Sequence, residues 1–187
     1  KYKEKFTCSY RTVAGYVGIS KKEIFGQRAG YLPLEHIPGE SQADFGDAEC
    51  YEKDQLYSGK HLNLSFPCSN KGYLQWFKGE NQECLFEGLI SIFEYVGGVP
   101  PKIWFDNTAT IVTKVLKDGG RTLTNDFLRF KEHYRFDAVF CNVDAGHEKG
   151  NVESKVGYHR RNMLVPVPRF ASLTEYNKEL LQKCDTD

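Results

Sequence analysis

The chain has 187 residues, of which 40% are hydrophobic and 14% aromatic, and its 25 basic residues balance 25 acidic ones. This length suits one ordinary domain with extensions, and the aromatic content favours a protein that contains a sheet. Zero net charge is weak evidence against a protein whose whole surface grips nucleic acid, although a local basic face is compatible with it. No stretch approaches the roughly 20 apolar residues that a membrane helix requires, so we expect no membrane partner.

The cysteines do not have the spacing of a metal site. They are Cys8, Cys50, Cys68, Cys84, Cys141 and Cys184. Because no two of them form a C-x-x-C pair, zinc is not expected. A chain of this length builds a core without disulfides, which favours reduced thiols in the cytoplasm. No signal-peptide pattern opens the sequence, and its start at Lys1 rather than Met indicates a piece of a longer protein.

The first 38 residues are expected to form a leader rather than part of the core. Between Tyr10 and Ile24 the apolar residues have only weak helical periodicity, which Gly15 and Gly18 interrupt. Glycines and prolines between positions 30 and 39 then indicate an extended connection that is rich in turns. We interpret residues 1–38 as a linker and the tail of a preceding domain.

Three strands are predicted next. Gln42–Tyr51 has strand character with Gly46 as a candidate bulge, and Gly72–Lys78 is rich in aromatic residues. Between them, Lys60–Phe66 alternates apolar and polar residues, a period of two that favours a half-buried strand. Three such strands joined by short turns predict an antiparallel meander.

Helices and strands alternate after the meander. Asn81 suits the N-cap of a helix whose apolar stripe repeats every three or four residues until a glycine pair ends it. Lys102–Phe105 is then predicted as a short apolar strand, Thr124–Tyr134 as a second helix and Arg135–Cys141 as a fifth strand.

Two more helices follow a polar loop. The loop Asn142–Lys149 leads to a helix around Val152–Met163, and Ser172–Cys184 forms a last, peripheral helix. The order β-β-β-α-β-α-β-α is that of the ribonuclease H-like fold, an α/β architecture with a mixed five-stranded sheet flanked by helices. In that fold the first strand lies centrally, and the strand after the first helix lies beside it.

Three carboxylates lie where this fold would bring distant segments together. Asp44 is in the first strand, Asp106 follows the strand after the first helix, and Glu153 is in the helix after the polar loop. Carboxylate oxygens are the ligands that Mg²⁺ and Mn²⁺ prefer. Two such ions about 4 Å apart can clamp the attacking and leaving oxygens of a phosphoryl displacement. The triplet therefore predicts a catalytic site for two divalent ions, Mg²⁺ or Mn²⁺.

The helix that carries Glu153 is also the most basic of the predicted core. Glu153, Gly157 and Arg160 share one row beside its buried stripe, because each residue rotates the helix by about 100°. A guanidinium two turns after a metal-binding carboxylate suits a DNA phosphate, and the glycine between them would let the nucleic acid approach closely. The residues predicted to contact DNA are Lys149, Lys155, His159, Arg160 and Arg161.

Four long phrases carry a family resemblance over about residues 30–170. They are PLEHIPGESQADFGDAE, IWFDNTATIVTKVL, LTNDFLRFKEHYRFDAVFCN and GHEKGNVESKVGYHRRNMLVPVP. They resemble the catalytic domain of IstA-type transposases, from the insertion-sequence twenty-one family within the DDE transposase and retroviral integrase superfamily. By position, the resemblance implies that Asp44, Asp106 and Glu153 are the first, second and third metal ligands.

The resemblance also implies a reaction, an organisation and partners. A DNA transposase of this kind cleaves the element ends with a metal-activated water and then joins the 3′-hydroxyl to target DNA. Residues 1–38 would hold the remnant of a DNA-binding domain, residues 39–170 the catalytic core, and residues 171–187 a peripheral helix that leads to a further region. Family members act with a helper ATPase of the AAA+ type, and we expect a homo-oligomer on DNA at the bacterial nucleoid in the cytoplasm.

Alternatives stay open for residues and for function. The competing acidic residues are Asp47 and Glu49 for Asp44, and Glu148 for Glu153. Asp106 by itself would also suit a helix N-cap, and the basic run would suit a solvated helix face. The alternative functions are a catalytically silent module for DNA binding or oligomerisation, and a nuclease of the ribonuclease H type. Whether the isolated chain is active is also open, because the end-reading region is largely absent.

Overall fold

The computed structural model describes residues 9–25, 37–105, 111–115, 121–140 and 150–186. The chain divides into two compact units, Lys1–Leu34 and Glu35–Asp187. In the first unit, helix α1 spans Tyr10–Phe25 and exposes the apolar side chains of Tyr10, Tyr16 and Ile19. The weak periodicity of this segment therefore corresponds to a continuous helix, and its two glycines do not interrupt it. No helix in the described ranges has both the length and the apolar character needed to cross a bilayer.

The second unit begins with the antiparallel meander that the sequence predicts. Its strands are β1 (Glu40–Glu52), β2 (Gln55–Phe66) and β3 (Lys71–Phe77). Lys53 and Asp54 connect the first two strands with positive φ angles, as in the two-residue turns that match strand twist. The β1–β2 register is unbroken from Gln42 opposite Ser65 to Glu52 opposite Gln55, so the bulge expected at Gly46 is absent.

Alternating helices and short strands complete the unit. They are α2 (Gln82–Val96), β4 (Lys102–Phe105), β5 (Val112–Val115), β6 (Arg121–Leu123), α3 (Asn125–Tyr134), β7 (Asp137–Phe140), α4 (Gly150–Met163), β8 (Arg169–Phe170) and α5 (Leu173–Asp185). Asn81 caps α2 by accepting a hydrogen bond from the backbone N of Cys84, and Gly97 ends it in the left-handed conformation. Local chemistry thus sets both ends of α2 where the sequence predicts them.

The sheet has the strand order β3-β2-β1-β4-β7, with β1 in the centre. β1 pairs with β4, and β4 with β7, in parallel, which confirms a mixed sheet and the neighbouring placement of the first and fourth strands. With β8 the sheet has six strands rather than the five expected. The structure adds two features that the sequence analysis did not predict. β8 pairs with the far end of β1, and β5 and β6 form a separate hairpin.

Aromatic residues fill the core between the sheet and helices α2 and α3. Phe86 of α2 stacks on Phe130 of α3 with ring centroids 4.3 Å apart, and Phe127 packs edge-on against Phe105 of β4. Gly88 lets α2 approach closely, since a Cβ there would lie 2.6 Å from a methyl group of Leu62. Helices α2 and α3 therefore pack against one face of the central strands.

The opposite face of the sheet is covered as well, by α4 and α5. At the outer edge, the Asn177 side chain of α5 accepts a hydrogen bond from the backbone N of Trp76 and donates one to its carbonyl. It thereby satisfies the backbone groups of one residue at the β3 edge as a neighbouring strand would.

The polar side chains of β2 are buried together with its leucines; they are His61, Asn63 and Ser65. The expectation of a half-buried strand is therefore wrong.

Candidate functional site

The first predicted ligand, Asp44, lies on the central strand of the sheet. Its side chain is partly exposed, and its Oδ1 accepts a hydrogen bond from the backbone N of Phe45 at 2.9 Å. Asp44 is directly opposite Asn63 in the β1–β2 register and lies two residues before Gly46, on the same face of β1. That face is the one that α4 covers.

The second predicted ligand, Asp106, lies outside the described residues. The strand that leads to it is described, and Phe105, its last residue, pairs with Ala43 in parallel. β1, which carries Asp44, and β4, which leads to Asp106, are therefore hydrogen-bonded neighbours about 4.8 Å apart. β4 ends level with the residue before Asp44. The convergence of the two carboxyl groups stays a prediction.

The third predicted ligand, Glu153, belongs to α4, of which only the backbone is described at that position. One helical turn later, a methyl group of Val156 lies 2.6 Å from the place where a Cβ on Gly46 would stand. α4 therefore crosses β1 at Gly46, two residues from Asp44. The helix brings the backbone of Glu153 towards the same face of the sheet, and the place of its carboxylate stays a prediction.

The competing acidic residue Asp47 points away from this face. It lies opposite Lys60 in the register, and its Oδ1 is 2.8 Å from the Lys60 ammonium group. The hydrogen bond from Lys60 lowers the pKa of Asp47 below its usual value. Glu49 alternates to the same side as Asp47, and Glu148 lies outside the described residues.

The basic residues of α4 divide into exposed and buried groups. Arg160 and Arg161 are exposed, and the ammonium group of Lys155 lies 4.9 Å from the centre of the Tyr158 ring. A Cβ on Gly157 would meet the guanidinium of Arg161 at 3.0 Å, so the Arg161 side chain lies over this glycine. The sequence predicts close approach of nucleic acid at the same position. Lys149 lies outside the described residues.

His159 requires a correction. It was predicted to contact DNA, but its side chain is fully buried, with Nδ1 2.7 Å from Oδ1 of Asn63. An amide oxygen can only accept, so the imidazole donates this hydrogen bond from Nδ1. The helical rotation that places Arg160 at the surface turns His159 towards the sheet. A buried histidine is not available to a DNA phosphate.

A second buried histidine lies beside the first. His61 is fully buried on β2, opposite Gly46, and its ring lies 2.5 Å from the place of a Cβ on that glycine. Burial lowers the pKa of His61 to about 4. His61 and Asn63 were not predicted to belong to the site, because the alternation along β2 indicates a solvated strand face at these positions. Gly46 and Gly72, which lie on the same face, were the signal that a helix packs closely there.

A divalent metal suits the part of the site that is described. Asp44 offers a partly exposed carboxylate on a rigid strand, the hard oxygen donor that Mg²⁺ and Mn²⁺ select. The buried histidines lie between the sheet and α4, His61 facing the helix and His159 facing the sheet, and neither faces an open surface. Among the described side chains, which include neither Asp106 nor Glu153, no three histidine, cysteine, aspartate or glutamate residues cluster as a metal site.

The sequence is similar to bacterial transposases. It is 33% identical over 161 residues to a transposase of Aminobacter aminovorans, across 84% of this chain and 31% of the relative. It is 30% identical over 190 residues to the transposase for insertion sequences IS1326/IS1353 of Pseudomonas aeruginosa, across 96% and 36%. A transposase for an IS21-like element of Bacteroides fragilis is 36% identical over 152 residues, across 79% and 29%. The chain thus spans about a third of the length of the curated relatives it matches. No family model matches it.

The fold is similar to that of retroviral integrases. The HTLV-2 integrase catalytic core domain, solved with magnesium, aligns with a TM-score of 0.51 and 16% identity over 79% of this chain and 85% of that one. A chain of the simian T-cell lymphotropic virus intasome aligns with a TM-score of 0.54 and 14% identity over 82% and 51%. At such low identity the likeness shows the fold alone, and it confirms the ribonuclease H-like architecture.

Proposed function

Because this chain belongs to the transposase family of IS21-like insertion sequences, over the third of those proteins that it spans, we propose that it forms their metal-dependent catalytic core. The reaction would be cleavage at the transposon ends followed by strand transfer into target DNA. The whole chemistry would be polynucleotidyl transfer at one site, with Asp44, Asp106 and Glu153 as the metal-binding and catalytic carboxylates.

The observation that carries this proposal is the arrangement of β1, β4 and α4. β4 ends in register with the residue before Asp44, and α4 crosses β1 two residues beyond Asp44. Three segments that are distant in sequence therefore meet around one carboxylate. A purely structural domain has no evident use for three like charges at such a junction, since they repel one another without a cation.

The role of the chain itself is to position oxygen ligands and DNA. Asp44 is held on a strand that is hydrogen-bonded on both sides, and the backbone N of Phe45 orients its carboxylate. Bound Mg²⁺ or Mn²⁺, expected as a pair, would supply Lewis acidity to the attacking water or hydroxyl and to the leaving oxygen. No covalent intermediate with the protein is required, so no serine, tyrosine or cysteine nucleophile is assigned.

DNA would approach along the exposed side of α4. Arg160, Arg161 and Lys155 are described there, and Lys149 precedes the helix in sequence. Guanidinium groups suit phosphate oxygens because they offer paired donors in a plane. We retain these four residues as the proposed DNA contacts and exclude His159, which is buried.

The wider organisation follows from the family and is proposed with it. Residues 1–38 would be the remnant of a DNA-binding domain, residues 39–170 the catalytic core, and residues 171–187 a helix that leads to a further region. The active species would be a homo-oligomer on DNA at the bacterial nucleoid in the cytoplasm, assisted by an AAA+ ATPase.

The test is Mg²⁺-dependent strand transfer by the full-length transposase that contains this chain, on DNA with the ends of its own element. Asp44→Asn, Asp106→Asn and Glu153→Gln should each abolish product while DNA binding stays near the wild-type level. Asp47→Asn is the matched control, because it changes a carboxylate three residues away on the opposite strand face. It should keep wild-type activity.

Each outcome distinguishes the alternatives. Full activity in any one of the three carboxylate variants would refute the proposed site. A wild-type protein that binds element ends but neither cleaves nor joins them in Mg²⁺ or Mn²⁺, with its helper present, would favour the silent module. Cleavage of RNA–DNA hybrids without strand transfer would favour the nuclease.

A further inference from the structure

We propose that Asn63 and His159 are positioning residues that set the place of Glu153 relative to Asp44. This inference rests on the proposed function, because it concerns how the third carboxylate reaches the site. It assigns a role in the reaction to two buried residues that touch neither metal nor DNA. The pair lies on the sheet face that α4 covers, and both side chains are fully buried.

Two glycines of the sheet form the seat on which α4 rests. A Cβ on Gly46 would lie 2.6 Å from a methyl group of Val156, and a Cβ on Gly72 would lie 2.6 Å from Cε1 of His159. Distances this short mean that α4 lies closer to the sheet than any residue other than glycine would allow at these points. Val156 and His159 are one helical turn apart, so successive turns of α4 occupy the two depressions.

The hydrogen bond from His159 to Asn63 fixes the rotation of α4 on this seat. Among the α4 side chains that are described, from Lys155 to Met163, only that of His159 is buried, whereas the others are half-buried or exposed. Apolar contact alone tolerates sliding and rotation, but a 2.7 Å hydrogen bond at a buried site has a defined direction. Its loss would remove this donor from the buried amide oxygen of Asn63, which costs free energy.

The hydrogen bond between His159 and Asn63 lies beside the first carboxylate in the sheet. Asn63 stands opposite Asp44 in the β1–β2 register, so the residue that holds α4 belongs to the same cross-strand pair as the metal ligand. Glu153 precedes His159 by six residues, about 9 Å along a rigid helix. A small rotation of α4 at His159 therefore displaces the Glu153 carboxylate, and misplacement by about 1 Å can reduce a rate by about 100-fold.

Substitutions at His159 separate positioning from simple packing. His159→Leu replaces the imidazole with an apolar side chain of similar size and so removes the hydrogen-bond donor. His159→Asn places an amide N–H near the position of Nδ1. We expect His159→Leu to lower strand transfer at saturating DNA by tenfold or more, with unchanged DNA affinity. His159→Asn should remain within about threefold of wild type. His133→Leu, at an exposed histidine of α3, is the matched control and should behave as wild type.

A second readout does not depend on turnover. Mn²⁺ binding to the full-length protein on element-end DNA, followed by the paramagnetic resonance of the unbound ion, should weaken about tenfold in His159→Leu and much less in His159→Asn. Gly72→Ala, which pushes on the His159 ring without removing its hydrogen bond, should weaken Mn²⁺ binding in the same direction. Thermal unfolding of each variant shows whether it is folded at the assay temperature.

The outcomes separate this inference from the proposed function. Wild-type Mn²⁺ affinity and strand transfer in a folded His159→Leu protein would overturn the positioning role, while inactive Asp44→Asn would leave the proposed site standing. Equal losses in His159→Leu and His159→Asn, in proportion to their losses of stability, would also overturn it and indicate packing alone. Full activity of Asp44→Asn would remove the proposed site, and this inference with it.

Discussion

Protonation of buried His61 is expected to make the fold sensitive to mild acid. Its pKa is lowered to about 4, chiefly because burial between β1 and α4 penalises the charged form. In the unfolded chain the same imidazole has a pKa of about 6.5. Between these two pH values the unfolded chain binds a proton that the folded chain does not bind. The free energy of unfolding should therefore fall as the pH decreases from about 6.5 and level off below about 4.

The magnitude follows from the two pKa values. At about 1.4 kcal/mol per pKa unit, the complete loss attributable to His61 is roughly 3 kcal/mol. At pH 5 most of this loss is already expressed, so the decrease between pH 7 and pH 5 should be about 2 kcal/mol. Against a total stability of about 5–15 kcal/mol for a typical domain, this effect is readily measured.

The assay is urea unfolding at pH 7 and pH 5, followed by tryptophan fluorescence, for the wild type, His61→Leu and the exposed-site control His133→Leu. Other histidines and carboxylates also contribute to the pH dependence of stability. The quantity compared among the three proteins is therefore the change in the free energy of unfolding between pH 7 and pH 5. His61→Leu should lose about 2 kcal/mol less than the wild type on acidification, whereas His133→Leu should follow the wild type. An equal loss in His61→Leu and wild type would refute the argument that His61 is buried in its neutral form.

Three further predictions address the seat, the DNA face and the sheet edge. Gly46→Ala should destabilise the protein by about 1–3 kcal/mol in urea unfolding and lower strand transfer, because its Cβ would meet the His61 ring at 2.5 Å. Arg160→Ala should weaken DNA binding and reduce the slope of log affinity against log salt by about one, and an unchanged slope would contradict a phosphate contact. Asn177→Leu should cost at least about 2 kcal/mol, because it leaves two backbone groups of Trp76 without partners, whereas exposed Lys178→Ala should cost little.

Local signals in the sequence determined most of the secondary structure. Asn81 and Gly97 end α2 where capping chemistry requires, and the five predicted strands all belong to the main sheet, with the first in the centre and the fourth beside it as expected. These features depend on a residue and its near neighbours, through side-chain periods, cap hydrogen bonds and backbone conformations that glycine tolerates. The fold class and the family followed because long phrases and element order carry that information along the chain.

Tertiary packing decided which polar residues are buried. Alternation along β2 identified its two faces, but an apolar face and a polar face predict one solvated side only when nothing covers it. Here α4 covers the polar face, and close approach at Gly46 and Gly72 brings His159 to Asn63 and encloses His61. A donor and an acceptor 96 residues apart have no local signature, so their pairing, and the transfer of His159 from the DNA face to the interior, follow only from the packing of α4 on the sheet.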